Sequence, residues 1–121
     1  MLFAPDAIER NGSYNLYFCL SGGSEGVARS DRTEGPFGTA VRLPATGIDP
    51  AVFVDDHGAA YYYWGQIHAH GARLNDDMMS LDVASQRSPL LTEEEHFFSE
   101  GSSMRRIGDT YYLAGIAAAS V

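Results

Sequence analysis

With only one cysteine, Cys19, the chain cannot form an intrachain disulfide, so its core and backbone pairing must hold it together. Cys19 lies in an apolar, strand-like run and reads as a core residue rather than a nucleophile. Basic side chains are scarce: eight stand against sixteen acidic ones, for a net charge of -8. That balance argues against nucleic acid and anionic membranes as partners and suits a neutral or cationic ligand. No apolar run approaches the roughly 18 residues of a membrane-spanning helix. The opening "MLFAPDAIERNG" lacks the basic n-region and apolar h-region of a secretory signal, so a cytoplasmic location is expected if Met1 is the natural start. "SGGSEG" is not followed by the Gly-Lys-Ser/Thr of a phosphate loop, and Ser21 to Gly26 reads as a flexible connection between strands.

What is present is aromatic and repetitive. The 121 residues, 45% apolar and 12% aromatic, make one domain at most. Three segments share a plan: "PDAIERNGSYNLYFC" from Pro5, "DPAVFVDDHGAAYYYWG" from Asp49 and "EGSSMRRIGDTYYLAG" from Glu100. Each opens on a carboxylate near Pro or Gly, runs through a short apolar strand and turns at a Gly-containing pair: Asn11-Gly12, His57-Gly58 or Gly108-Asp109. Each then enters an aromatic strand, at Tyr14 to Cys19, Ala60 to Trp64 and Tyr111 to Ile116. Outer strands are expected at about Gly26 to Ser30, before a turn from Asp31 to Pro36, and at Met78 to Ala84. A hairpin repeat of about fifty residues with little helical periodicity points to four-stranded propeller blades.

The expected fold is therefore all-β, a partial propeller of about two and a half blades, with units at about 4–47, 48–92 and 97–121. Propellers close as rings of roughly four to eight blades, so the sequence reads as a piece of one. The first strand of each blade lines the central channel, and equivalent positions converge on one mouth. Asp6, Asp49 and Glu100 head those first strands, which would gather three distant carboxylates into one acidic site. The small Gly-Ser-Ser neighbours of Glu100 leave a ligand room to approach.

Four ordered segments also carry a family resemblance. "LFAPDAIERNGSYNLYF" resembles the W-A-P-D segment and D-G-x-Y-Y-L-Y hairpin of glycoside hydrolase family 43, with Phe3 in place of the usual Trp. "GVARSDRTEGPF", "IDPAVFVDDHGAAYYYWG" and "FFSEGSSMRRIGDTYYL" are similar to three further segments of that family, in order and at suitable spacing. The resemblance implies a five-bladed propeller acting on arabinofuranosyl or xylosyl linkages of plant-type polysaccharides or oligosaccharides, with a carbohydrate partner and no cofactor. It makes Glu100 the general acid and Asp49 the carboxylate that keeps that acid protonated and orients it. Phe3 and Asp6 become substrate-binding positions. Inversion needs a separate base roughly 6.5–9.5 Å from the acid. The family takes that base from an aspartate of its first blade, upstream of W-A-P-D, and Asp6 belongs to the second. The expectation is thus a glycosidase fragment that is inactive alone and self-associates through open blade faces. The alternative is a non-catalytic carbohydrate-binding or vestigial propeller piece.

Other features have plainer readings beside the chemical ones. Asp55 to Gly58 could suggest calcium, but the full ligand spacing is missing and a hairpin turn fits better. His68 and His70 lack an obvious third metal ligand and read as a loop near the mouth. Glu93 to Glu95 is a solvated acidic run, and Met78 and Met79 are strand residues, one in and one out. Trp64 suits a sugar platform or packing between blades equally.

Overall fold

Turn chemistry sets the first layer of the fold. In the computed structural model, which describes residues 1–117, Asn11 and Gly12 take φ of 53° and 79° and join β1 (Leu2–Arg10) to β2 (Ser13–Leu20). Two consecutive left-handed residues give a hairpin turn that matches the strand twist. β3 (Ser24–Ser30) and β4 (Val41–Thr46) complete an antiparallel sheet in the order β1-β2-β3-β4. β5 (Ala51–Val54), β6 (Ala60–Trp64), β7 (His68–Leu74) and β8 (Leu81–Thr92) form a second sheet of the same order. One helical turn, α1 (Glu93–His96), is capped by the Thr92 hydroxyl, which accepts from Glu95 N–H. It leads into the hairpin of β9 (Phe98–Ile107) and β10 (Thr110–Ala117). Among the described residues each strand pairs only with its sequence neighbours, as in propeller blades. The last four residues of the third expected unit lie outside the described residues.

The three aromatic strands fall within one residue of expectation at each end. Other boundaries differ. Met78 and Met79 lie in a turn, not a strand: Met78 has φ 61°, and its N–H donates to Asn75 O. Asn75, Asp77 and Ser80 make the side-chain bonds of that turn, which delays β8 to Leu81. Met78 is nonetheless buried. His68 and His70 belong to strand β7, not a loop, because His70 pairs with Trp64 in the β6–β7 register. The connection after β2 is shorter than Ser21 to Gly26: Gly23 N–H closes on Leu20 O and β3 begins at Ser24.

The core lies between the first two sheets. Strand alternation sends Asn15, Tyr17 and Cys19 of β2 and Glu25 and Val27 of β3 to the buried face. Tyr17, Val27, Leu43 and Ala45 meet Ala60, Tyr62, Trp64 and Leu74 of the second sheet. The Tyr17 and Tyr62 rings pack 5.4 Å apart, and Tyr62 and Trp64 5.7 Å. Trp64, 3% exposed, is thus a packing residue between blades rather than an open platform. Polar contacts fasten the joint: Arg10 Nη2 donates to Gly58 O at 2.8 Å, Tyr17 O–H to Met78 O at 2.8 Å, and Arg29 to Asp77 O. On its other face the second sheet carries β9–β10. There Phe53 meets Tyr111 edge-on at 6.2 Å, and Tyr111 O–H donates to Asp55 Oδ2 at 2.6 Å. Arg106 lies against Asp56 at 2.6 Å and over the Tyr111 ring. The Asp55 carboxyl therefore works in the joint between hairpins, and its Tyr111 bond holds it below the usual carboxylate range.

Candidate active site

Each candidate carboxylate sits where the backbone departs from a regular strand. Asp6 follows the irregularity in the β1–β2 ladder between Phe3 and Asp6, where Ala4 takes φ 44°. Its Oδ1 accepts from Ala7 N–H and its Oδ2 from Val52 N–H of β5, both at 2.9 Å. Asp6 is thereby a strand-to-strand clamp between the first two sheets, with a half-buried side chain. Phe3, just before it, is 42% exposed, and its carbonyl accepts from the Cys19 thiol at 3.6 Å.

Asp49 precedes β5 and takes the left-handed conformation, φ 55°, which aspartate tolerates better than most residues. Its backbone N–H lies against the buried Cys19 thiol, whose pKa burial pushes up. Glu100 is half-buried on β9, opposite Ile116, where the ladder shifts register. Gly101 follows with φ 74°, and a Cβ there would press into Ile116 at 3.0 Å.

A backbone bridge links the surroundings of Asp49 and Glu100. Gly65 N–H donates to Ile48 O, beside Asp49, at 3.0 Å. Ile67 N–H donates to Ser99 O, beside Glu100, at 2.7 Å. Ile67 O then accepts from Glu93 N–H at 3.0 Å, so the β6–β7 turn also fixes the start of α1. Gly65 stands at φ 126°, where a Cβ would collide with the carbonyl oxygen of His68. Ile67, β-branched, is at φ 67°, an outlier for its type. Neither residue stands out in the sequence beyond the "YWG" ending, because their partners lie 17 and 32 residues away.

Glu25 is the other residue the sequence leaves unmarked. It is 1% exposed between the two sheets, and its Oε2 accepts from the Tyr62 hydroxyl at 2.6 Å. Its Oε1 is buried with no partner among the described residues. Burial pushes its carboxyl up to about 7, against the Tyr62 bond that favours the charged form, and nearby Asp49 adds to the rise. Its strand alternation with Val27 was the one available signal, hidden by the Gly-Ser run in front of it.

Among the described residues no three His, Cys, Asp or Glu side chains come together as a metal site. His70 stacks on Trp64 at 5.5 Å and bonds Ser88 Oγ through Nδ1 at 2.8 Å, and burial pushes its pKa down. A cleft of about 290 Å³ lined by Tyr61, Tyr63, Arg73, Ser85, Arg87 and Leu90 marks the part of the second sheet that β9–β10 leaves uncovered. None of Phe3, Asp6, Asp49 and Glu100 lines it.

Comparison with known proteins bears on this arrangement. The chain is 51% identical over 71 residues to "Xylosidase/arabinosidase 43A" of Humicola insolens, covering 53% of this chain and 21% of that protein. It is 30% identical over 139 residues to "Arabinoxylan arabinofuranohydrolase" of Bacillus subtilis (strain 168), covering 92% of this chain and 26% of that protein. Its fold matches a GH43 β-xylosidase/α-arabinofuranosidase from a compost microbial metagenome, solved with xylotriose, at TM-score 0.80 and 28% identity. That match covers 94% of this chain and 48% of the other. An α-L-arabinofuranosidase of Clostridium thermocellum matches at TM-score 0.80 and 31% identity, over 99% of this chain and 44% of the other. The chain thus spans about half of these solved structures and about a quarter or less of the two curated relatives. The Glycosyl hydrolases family 43 profile matches residues 1–120, and the chain, a partial propeller, belongs to that family.

Proposed function

We propose that this chain contributes the acid side of the active site of an inverting glycosidase that cleaves arabinofuranosyl or xylosyl linkages. Glu100 donates the proton to the leaving oxygen, Asp49 keeps it protonated and oriented, and Phe3 and Asp6 border the sugar. The observation that carries this reading is the Gly65–Ile67 bridge, which holds the residues beside Asp49 and Glu100 to one turn. The xylotriose complexes of two structural neighbours support a pentose-based substrate. Asp6 has both oxygens on backbone N–H groups, so its part at the sugar is to fix the channel strand and present its remaining lone pairs.

The general base comes from propeller strands beyond this stretch. A positioned base contributes about 10²–10⁴-fold, so these 121 residues by themselves do not turn over glycosides at an enzymatic rate. They bind sugar weakly and self-associate through uncovered sheet faces.

The test is made in a protein carrying the complete propeller. Glu100→Gln is expected to abolish hydrolysis of arabinoxylan while largely sparing aryl glycosides with good leaving groups, which need little acid assistance. Asp49→Asn is expected to lower the alkaline limit of the activity profile, since a negative charge that favours the protonated acid is gone. An unchanged profile removes Asp49 from the role, and equal losses on both substrate types remove Glu100.

A further inference from the structure

We infer that Glu25 is a positioning residue for Asp49, acting from the floor between the first two sheets through the charge of its buried carboxyl. The inference rests on reading Asp49 as a site residue. Three observations carry it. Glu25 is 1% exposed, yet among the described residues only one of its oxygens has a partner, the Tyr62 hydroxyl at 2.6 Å. It stands opposite Cys19 in the β2–β3 register, and Cys19 lies against the backbone N–H of Asp49. Asp49 itself takes a left-handed conformation just ahead of β5, which sets where its side chain leaves the backbone.

The titratable groups around Glu25 come from three elements: Cys19 on β2, Tyr62 on β6 with Tyr17 of β2 behind it, and Asp49 ahead of β5. None of the four can carry a positive charge. A carboxylate formed at Glu25 therefore puts a like charge behind Asp49 and favours the arrangement in which the Asp49 oxygens point away from the floor, toward the mouth. A neutral Glu25 removes that push. The coupling is mutual, because Asp49 also disfavours ionisation of Glu25. Strongly perturbed buried acids gather at functional sites, and an apolar side chain here would spare the fold an unpaired oxygen.

The experiment follows Glu25 Cδ, Asp49 Cγ and the Asp49 amide by NMR across pH in the ¹³C/¹⁵N-labelled full chain. The expected result is a Glu25 inflection near neutral pH, mirrored in both Asp49 signals. Glu25→Gln, which keeps an acceptor for Tyr62, should erase the mirrored inflection. Tyr62→Phe removes the bond that favours the charged form and should move both inflections to higher pH. Asp49 signals that ignore the Glu25 titration, or keep the neutral inflection in Glu25→Gln, overturn the inference. If Glu25→Gln fails to fold, Tyr62→Phe decides, and inflections that do not rise overturn it. A xylotriose titration of wild type and Asp49→Asn is read separately. Equal affinities would sink the sugar-site reading while the carbon shifts still report the Glu25–Asp49 coupling.

Discussion

A glutamate in water releases its proton near 4.5, whereas Glu25 holds it to about 7 once the sheets close over it. Between those values the folded chain binds a proton that the unfolded chain has lost, so stability falls as pH rises through the window and levels off above it. A difference of about 2.5 pH units corresponds to about 3 kcal/mol. His70, whose pKa burial pushes down, works the other way over part of this range. Urea midpoints in the wild type are therefore expected to fall between pH 5 and pH 8 relative to those of Glu25→Gln, which keeps the His70 contribution alone. Wild-type and Glu25→Gln midpoints that follow the same course over that interval would contradict the placement of this carboxyl. Asp6, Asp49 and Glu100 stand out in the sequence as candidates because each opens one unit of the hairpin repeat beside Pro or Gly, and the roles proposed for them come from the family resemblance. The burial of Glu25 does not, since it arises only when β3 of one sheet meets β6 of the next. The clamp from Asp6 to Val52 N–H is invisible for the same reason.

At the level of elements, the β6–β7 turn is the part most sensitive to a single methyl group. Gly65→Ala puts a Cβ into the His68 carbonyl and forces a left-handed alanine. Strain of that kind costs about 1–3 kcal/mol, and relieving it means moving a turn bonded to Ile48 and Ser99. The amide signals of Asp49 and Glu100 are expected to shift together in Gly65→Ala. Gly12→Ala is the control: it is also left-handed, but nothing lies within 4 Å of its Cβ and it touches neither residue. Shifts confined to residues 65–68 would show that the turn does not carry the site. Hairpins were legible because Asn-Gly and related pairs dictate turn geometry. β7 was not, because "HAHGARL" alternates through Ala and Gly, whose small side chains give little hydrophobic contrast. β4 carries Pro44, which fits only because this strand lies at a sheet edge.

For the molecule as a whole, the arc of sheets leaves apolar side chains uncovered at both ends. Leu2 and Leu20 are 47% and 42% exposed on the outer face of the first sheet, Val41 is 41% exposed on its edge strand, and Tyr112 and Ile116 are 51% and 60% exposed on the last hairpin. Patches of this kind favour association. Sedimentation velocity is expected to show species larger than a monomer at micromolar concentration, and Leu20→Glu with Tyr112→Glu to return the chain to monomer. A wild-type chain that sediments as a monomer throughout would rule this out. The pairing of every strand with its immediate sequence neighbour has a kinetic consequence. Contact order within each sheet is low for a β-protein, so little loop-closure entropy opposes forming a single blade. The joints span far longer separations, 46 residues for Asp6 to Val52 and 61 for Tyr17 to Met78. Blades should therefore zip up early and dock late, and native-state hydrogen exchange should open them one at a time as separate cooperative units.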